Sequence, residues 1–331
     1  MFERKAIFLA LPLVFSILKP KDIHYRSILK LFVYGCIAAY ILSLVIALYN
    51  SISFNPFVFD VTLAAHKANE LTNPNASSLL INNFLSVNFA LDMNPTALAM
   101  YFSMSIAIMQ YLKEEFSKNT RLFFSILLIV GILQLGSVLG FIMLVFVLIA
   151  LFKPLLAKPM IAFVFFSFLV TLVLISQKDN QTFVKTSEIE RLDNRVIIWY
   201  TVLNSISFDN ILFGTGVKKA QKMLDKNYPK EGDFGFASQI KKLDSHNMYL
   251  QLILEVGLLG LIVFIICIYR YLKQIKIMPK QYQNLCFIFL GLVLFLKMVE
   301  SALNIYIGLS FFVFFYVLSI TFTSQKCIAK K

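Results

Sequence analysis

Residues 122–152 read LFFSILLIVGILQLGSVLGFIMLVFVLIALF, which makes 31 consecutive positions without a charged side chain. A single helix crosses a bilayer in about 20 residues, so this stretch is too long for one span. Gly136-Ser137, near its middle, has the composition of a turn. We therefore predict two short membrane helices joined at Gly136-Ser137.

The rest of the chain repeats this apolar pattern. Of the 331 residues 59% are hydrophobic and only 15% are charged, against about 25% charged in soluble proteins. Because lipid offers no partner to backbone amides, each long apolar run should be a helix. Six more spans are predicted, at residues 31–49, 95–112, 159–176, 247–268, 284–302 and 305–322.

Residues 6–18 form an apolar run that is too short to cross a bilayer. A partly inserted helix, a re-entrant segment and the remnant of a longer start all remain open for it. The fold class predicted from these runs is an all-α, polytopic membrane protein of about eight or nine transmembrane helices. One large external loop, which contains an amphipathic helix, interrupts the membrane pattern.

Charges in the short loops predict the orientation of the chain. One alternate set of segments holds sixteen Lys and Arg, at residues 19–30, 113–121, 153–158, 269–283 and 326–331. The polar segment 50–94, on the other side, holds Lys67 alone. Since Lys and Arg concentrate in cytoplasmic loops, the C-terminus is predicted to be cytoplasmic. The net charge of +13 is mostly explained by this asymmetry, so nucleic acid is not a predicted partner.

This topology divides the chain into N-terminal transmembrane helices (1–176), a large external loop (177–246) and C-terminal transmembrane helices (247–331). Within the loop, Ser187 and Glu190 form a capping box that opens a predicted helix over 188–206. An apolar stripe is expected to lay this helix along the outer membrane surface. Its members are Ile189, Val196, Leu203 and Ile206. Residues 217–245 are predicted to be basic and irregular.

Two groups of residues suggest chemistry at the membrane surface. Arg191, Arg195 and Trp199 follow one another at intervals of four, which places them on one face of the predicted helix. His246-Asn247 stands where the polar loop ends and a membrane helix begins. Imidazole is the side chain whose unperturbed charge changes near neutral pH.

The stretch from Arg195 to Gly260 resembles the superfamily of O-antigen ligases and O-antigen polymerases. These are glycosyltransferases of the bacterial inner membrane that use undecaprenyl-diphosphate-linked glycans. The resemblance consists of an Arg-x-x-x-Trp helix, a Phe-Gly-x-Gly corner, and His-Asn followed nine residues later by Gly-x-x-Gly. Its residues are Arg195, Trp199, Gly214, Gly216, His246, Asn247, Gly257 and Gly260.

The resemblance implies a catalytic loop with Arg195 and His246 as catalytic residues. Arginine binds phosphate oxygens in pairs, so Arg195, helped by Arg191, would neutralise the departing diphosphate. His246 would act as the base for the acceptor hydroxyl or, protonated, would hold the diphosphate. Trp199 is expected to stack on a sugar or to anchor the loop at the membrane, and Asn247 to orient the ring or a sugar.

Gly214, Gly216, Gly257 and Gly260 are structural in this scheme, the last two through close helix packing. Neither a metal nor a cofactor is implied, because Cys/His clusters and an external Asp-x-Asp are absent from the sequence.

The function favoured by these residues is a metal-independent, inverting polymerase of surface polysaccharide. It would move glycan from undecaprenyl diphosphate to a sugar hydroxyl of another lipid-linked glycan. Ligase members carry an arginine in the turn that here reads Gly136 to Gly140, with Val138 in its centre, which favours a polymerase. The alternatives are a ligase acting on lipid A-core or a protein hydroxyl and, in another class, a transporter, a flippase or an inactive scaffold.

Two charges fall inside predicted spans. Glu255 lies nine residues along its helix from His246, and Lys297 lies near the outer end of the next helix. Unpaired charges at such depth are costly. We therefore predict that Lys297 pairs with Glu255 or with Glu300.

Overall fold

The computed structural model describes residue 13, residues 24–54, 57–59, 85, 94–156, 198–208, 210–227, 245–299 and 306–328. The predicted helix at 159–176 and the segment 6–18, except Leu13, lie outside these residues. The helices are α1 (Tyr25–Asn50), α2 (Pro95–Tyr111), α3 (Lys118–Leu135), α4 (Val138–Leu156), α5 (Val217–Asn227), α6 (Met248–Ile277), α7 (Lys280–Val299) and α8 (Tyr306–Ile328). Residues 198–205 are also helical.

The described chain is helical and apolar, as predicted for a membrane protein. Within the described part of the chain, three helices are long and apolar enough to cross a bilayer, namely α1, α3 and α6. Shorter apolar helices cover Val138–Leu151, Tyr282–Lys297 and Gly308–Ile320. The all-helical class is therefore confirmed for most of the described chain, while the predicted number of spans stays a prediction.

A small hairpin departs from the all-α prediction. Strand β1 (Ile52–Phe54) pairs antiparallel with β2 (Phe57–Phe59), with Ile52 opposite Phe59. The sequence signal was present, because β-branched and aromatic residues flank Asn55-Pro56, a turn-forming pair. It was overlooked because the whole of 50–94 is rich in Asn and Ser.

The turn predicted at Gly136-Ser137 is confirmed. α3 ends at Leu135, Gly136 takes the left-handed conformation with φ 60°, and α4 begins at Val138. The hydroxyl of Ser137 accepts the amide of Gly140 at 3.1 Å and shares a 2.8 Å hydrogen bond with the hydroxyl of Thr96 at the start of α2. Val138, where ligase members carry arginine, is 63% exposed.

The core is centred on α2, which packs against α1, α3, α4 and α7. Twelve of the 17 residues of α2 are buried, including Phe102 and Met104. Close approach depends on small residues, since a Cβ at Gly140 of α4 would lie 2.7 Å from Cβ of Ala99. Between apolar helices in lipid, this kind of van der Waals packing provides much of the association energy.

Ion pairs place two predicted cytoplasmic segments on the same face of the molecule. Arg26, at the start of α1, lies 3.7 Å from Glu114 and 3.6 Å from Glu115, between α2 and α3. Lys30 lies 3.6 Å from Glu115. The start of α1 therefore lies against the connection between α2 and α3, and both belong to segments that the sequence predicts to be cytoplasmic.

Candidate functional site

Asn247 begins α6. Its side-chain oxygen accepts the backbone amides of Tyr249 at 3.0 Å and Leu250 at 3.1 Å. These amides have no partner within the helix, and asparagine is a favoured residue at this position. The predicted boundary of the loop and the helix is thus correct to one residue. The same carboxamide that was expected to orient the imidazole ring or a sugar is a helix cap.

His246 has an unusual backbone conformation. Its φ of 46° is the one positive value at a non-glycine residue among the described residues. Such a conformation costs a side-chain-bearing residue about 1–2 kcal/mol, so surrounding interactions must hold it. The hydroxyl of Ser245 supplies one, because it donates to the carbonyl oxygen of Asn247 at 2.7 Å and so spans the histidine.

A buried chain of polar groups leads from His246 into the membrane helix. Gln251, which is buried, accepts the amide of Ser245 at 3.2 Å through its side-chain oxygen. Its side-chain nitrogen donates to the carboxylate of Glu255 at 2.6 Å. The turn that holds His246 is therefore connected to Glu255 through a single glutamine side chain.

Immediately after Glu255, α6 is broken. Gly257 has φ 72° and ψ −174°, which are not helical values. In a continuous helix the amides of Leu258 and Leu259 would donate to the carbonyl oxygens of Leu254 and Glu255. The break removes both bonds and exposes four backbone groups inside an apolar helix.

Residues 211–216 of the polar loop fill this break with their own backbone. Two of their carbonyl oxygens accept the amides after the break, and two of their amides donate to the carbonyl oxygens before it. All four groups of the broken helix are thereby hydrogen-bonded. The bonds are Leu258 N to Ile211 O (2.8 Å), Leu259 N to Leu212 O (3.2 Å), Thr215 N to Leu254 O (2.8 Å) and Gly216 N to Glu255 O (2.9 Å).

Two glycines make this contact possible. Gly214 has φ 68°, and a Cβ there would lie 2.5 Å from the carbonyl oxygen of Glu255. A Cβ at Gly257 would lie 2.5 Å from the amide nitrogen of Phe213 and would overlap the carbonyl of Leu212. The Phe-Gly-x-Gly corner and the first glycine of Gly-x-x-Gly, 43 residues apart in the sequence, therefore form one contact.

The predicted contact of Gly257 and Gly260 with another helix is corrected by this geometry. Gly257 admits the loop backbone, and a Cβ at Gly260 would meet the side chain of Val256 on the same helix. At Gly216, which has φ 85°, no atom of the described residues beyond its chain neighbours lies within 4 Å of the position that a Cβ would take. The glycines thus shape the helix break and the corner that fills it.

The loop helix packs on the first turns of α6. Ile198 and Val202 are buried with Ala220, Leu224 and Leu254, and Trp199 packs against this cluster together with Ile206 and Leu250. The indole N–H of Trp199 is buried and hydrogen-bonds to none of the described residues. Trp199 is therefore held near the start of the helix that follows His246.

Several expectations for the loop can now be compared with the structure. Leu203 is exposed, while the face that packs inside the protein follows Ile198 and Val202. Contact of the stripe through Leu203 with the membrane surface stays a prediction. Arg191, Arg195 and the capping box at Ser187 lie outside the described residues. The helix over 188–206 is described from 198 and ends at 205.

Helix α5 was missed by the sequence prediction, which treated 217–245 as irregular. Ala220 and Leu224 are its buried residues, while Lys219 and Lys222 are exposed. Val217, Ala220 and Leu224 follow the three- and four-residue spacing of an amphipathic helix. That signal was obscured by the density of lysine in this segment.

Lys297 has aromatic neighbours. It is 1% exposed, and its Nζ lies 4.3 Å from the ring centre of Phe264 and 4.7 Å from that of Phe312. Among the described residues, these rings rather than the carboxylate of Glu255 are its partners. The alternative partner, Glu300, lies outside the described residues.

The described residues were compared with the side-chain groups that bind metal ions in proteins. Among them, no group of three or more His, Cys, Asp and Glu side chains is placed to hold a metal ion. The polar groups that are gathered here are instead those of the turn at His246, the chain through Gln251 and the corner at Gly214.

The fold and the site define a helical membrane protein whose polar loop is joined by backbone hydrogen bonds to a broken membrane helix. A family model described as O-antigen ligase matches residues 96–265, just over half of the chain. The chain belongs to the O-antigen ligase family.

Two curated relatives are similar over a shorter stretch. A protein of Rickettsia felis named "Putative polysaccharide ligase" is 36% identical over 83 residues, which are 25% of this chain and 20% of the relative. A protein of Rickettsia conorii, also named as a putative polysaccharide ligase, is 35% identical over 89 residues, which are 25% of this chain and 20% of the relative. The chain thus spans about a fifth of the length of the curated relatives it matches. No solved structure matches it.

Proposed function

We propose that this protein is a polysaccharide ligase that transfers glycan from undecaprenyl diphosphate to a hydroxyl of lipid A-core or of a protein. The match to the O-antigen ligase family and the names of the two relatives support ligation. They favour it over the polymerisation suggested by Val138. The active loop faces outward from the bacterial inner membrane, and the C-terminus is cytoplasmic.

One observation carries the proposal. The helix bearing Trp199 packs on Leu250 and Leu254, one and two turns into the helix that follows His246. Trp199 and the His-Asn motif therefore belong to one packed unit, which supports a common role on one substrate. If the helix continues toward its predicted start, Arg195 lies one turn before Trp199 on the same face.

The reaction is a single displacement at the anomeric carbon of the donor. The acceptor oxygen forms a bond to this carbon, and the bond from the carbon to the phosphate oxygen breaks with inversion. The acceptor proton passes to the imidazole of His246, and undecaprenyl diphosphate leaves with its charge balanced by Arg195 and Arg191. Trp199 stacks on a sugar or anchors the loop at the membrane, and no metal takes part.

Complementation tests this function. A strain without its O-antigen ligase is expected to regain glycan attached to lipid A-core when it carries this gene, as seen on a polysaccharide gel. Restoration only of a strain without its polymerase would overturn ligation in favour of polymerisation. Restoration of neither strain would contradict both.

The site is tested in the same assay by Arg195→Ala and by Lys219→Ala. Lys219 is an exposed cation of the same loop, on α5. Arg195→Ala loses the charge-assisted hydrogen bonding to phosphate, so this variant is expected not to complement the strain. Lys219→Ala is expected to complement it. Equal activity of both variants would exclude Arg195 from the site, without bearing on the function itself.

A further inference from the structure

The corner that fills the helix break lies at membrane depth, although it belongs to the polar loop. α6 is 30 residues long, or about 45 Å at 1.5 Å per residue, which exceeds the roughly 30 Å of a hydrocarbon core. The basic residues Arg270, Lys273 and Lys276 mark the far boundary of the core. Gly257 precedes Arg270 by 13 residues and so lies about 20 Å above that boundary.

The rest of the hydrocarbon thickness places the break inside the leaflet on the side of His246. About 10 Å of hydrocarbon lies between Gly257 and the boundary nearer His246. Counting from the other end, Gly257 follows Asn247 by ten residues, or about 15 Å, which puts Asn247 about 5 Å outside the hydrocarbon. Ile211 and Leu212 are hydrogen-bonded to Leu258 and Leu259, so they share this depth.

The side chains at this depth are apolar and point out of the protein. Leu212 is 52% exposed and Phe213 is 74% exposed. Phe208, at the start of the same turn, is 98% exposed. Exposed apolar residues of α6 next to the break, among them Val256, Leu259 and Ile262, continue this surface down the helix.

Several backbone amides of the corner are bonded inside the protein. Irregular backbone is tolerated in a membrane where its polar groups are bonded inside the protein. Here Ile211 and Gly214 donate their amides to Ser207 and Asn210, and Thr215 and Gly216 donate to α6. The hydroxyl of Thr215 donates to the carbonyl of Leu254 at 3.0 Å.

We propose that residues 210–213 form a re-entrant element whose Leu212 and Phe213 side chains contact the acyl chains of bilayer phospholipid. The contact surface is continuous with the exposed apolar face of α6. This element fixes the loop helix that carries Trp199 at the membrane boundary. The inference depends on the membrane span of α6 and is independent of the reaction proposed above.

Tryptophan fluorescence tests this contact, since the chain has a single Trp. Phe213→Trp is made in a Trp199→Phe background, and the pure protein is reconstituted into phosphatidylcholine vesicles that contain no prenyl lipid. Phosphatidylcholine brominated along its acyl chains is expected to quench the indole introduced at position 213. Iodide, present on both sides of the vesicles, is expected to leave its emission unchanged.

Two matched probes in the same background calibrate the measurement. Ile262→Trp lies on the exposed face of α6 and should respond like position 213. Lys219→Trp lies on the polar face of α5 and should be quenched by iodide and not by brominated lipid. Leu212→Trp serves as a second probe of the corner where Phe213→Trp fails to fold.

Each alternative occupant gives a different result. Quenching of both corner probes by iodide would place the corner in water and overturn the proposal. Resistance to both quenchers would mean that another part of the protein covers Leu212 and Phe213, which overturns it as well. Quenching by brominated lipid alone supports phospholipid, because no other acyl or prenyl chain is present.

Discussion

The side-chain amide of Gln251 donates a 2.6 Å hydrogen bond to the carboxylate of Glu255, one helical turn away and directly before the break in α6. The same side chain accepts the amide of Ser245 at 3.2 Å. Gln251 therefore connects the turn that holds His246 to the broken segment of the helix. Removing it would leave a buried amide and a carboxylate without this partner.

We expect Gln251→Ala to lower the free energy of unfolding by about 1–3 kcal/mol, the cost of leaving buried polar groups unsatisfied. Thermal unfolding in detergent measures this loss. Gln221→Ala is the matched control, because Gln221 also donates to a carboxylate four residues on, Asp225, but on an exposed surface. An exposed pair contributes about 0.2–0.5 kcal/mol. Equal losses in both variants would contradict a structural role for the chain through Gln251.

Alanine at the glycines of the corner should separate overlap from backbone strain. In Gly214→Ala and Gly257→Ala the new Cβ meets backbone atoms, and the alanine must also adopt the positive φ of the glycine. We expect each to lose more stability than Gly216→Ala, which has a positive φ but open space and should lose about 1–2 kcal/mol. Thermal unfolding of the three variants gives the order. A larger loss at Gly216 than at Gly214 or Gly257 would be inconsistent with the contact between loop and helix.

Asn247 and Asn94 allow capping to be distinguished from substrate binding. Both cap helices through two backbone amides, Asn94 at the start of α2 and Asn247 at the start of α6. Replacement of either by alanine should cost about 0.5–2 kcal/mol, and aspartate should restore the cap. We expect Asn247→Asp to recover stability but to stay impaired in glycan transfer, whereas Asn94→Asp recovers both. Full activity of Asn247→Asp would show that Asn247 caps the helix and does not bind substrate.

A structural feature can be predicted from the sequence when the residues that cause it lie close to it in the chain. The start of α6 at Asn247 and the turn at Gly136 follow from residues within a few positions of each boundary. The break at Gly257 does not, because the apolar pattern of α6 is the same for a continuous and a broken helix. What stabilises the break is backbone of 211–216, and backbone hydrogen bonds leave little trace in side-chain identity.

The same distinction explains the outcome for individual side chains. The sequence motif predicted that Trp199 and His246 belong to one site, and in the structure the helix of Trp199 packs on the start of α6. Lys297 packs on aromatic rings and not on Glu255, because depth along a helix does not tell which direction a side chain takes. Pairing of Lys297 with Glu300 stays a prediction. Phe264 and Phe312 come from two different helices, and sequence spacing does not reveal their approach.

Lys297 can be tested by a double-mutant cycle with Phe264. Lys297→Met keeps the length of the side chain and removes the charge, so it should change stability little or raise it. Lys297→Ala should lose about 2–5 kcal/mol because it leaves a cavity. We expect a coupling energy of about 0.5–2 kcal/mol between Lys297→Met and Phe264→Leu, as for a partly desolvated cation on a ring.

The control for this cycle is Glu255→Gln in place of Phe264→Leu. The structure predicts a smaller coupling of Lys297→Met with Glu255→Gln than with Phe264→Leu. The reverse order, measured by thermal unfolding in detergent, would restore the ion pair that the sequence suggested.

His246 combines a positive φ with the proposed role of base, and two substitutions separate these properties. Asparagine adopts the left-handed conformation more readily than most residues, so His246→Asn should keep the turn and change stability by less than about 0.5 kcal/mol. It lacks a group that takes up a proton near neutral pH, and transfer should fall by about 10²–10⁴. His246→Ala should lose the same activity and be less stable than His246→Asn by about 1 kcal/mol, because asparagine adopts the left-handed conformation several-fold more often. Transfer by purified, reconstituted protein and thermal unfolding of the same preparations check both values. Wild-type transfer by His246→Asn, with loss only in His246→Ala, would show that the site needs the conformation of this turn and not the imidazole.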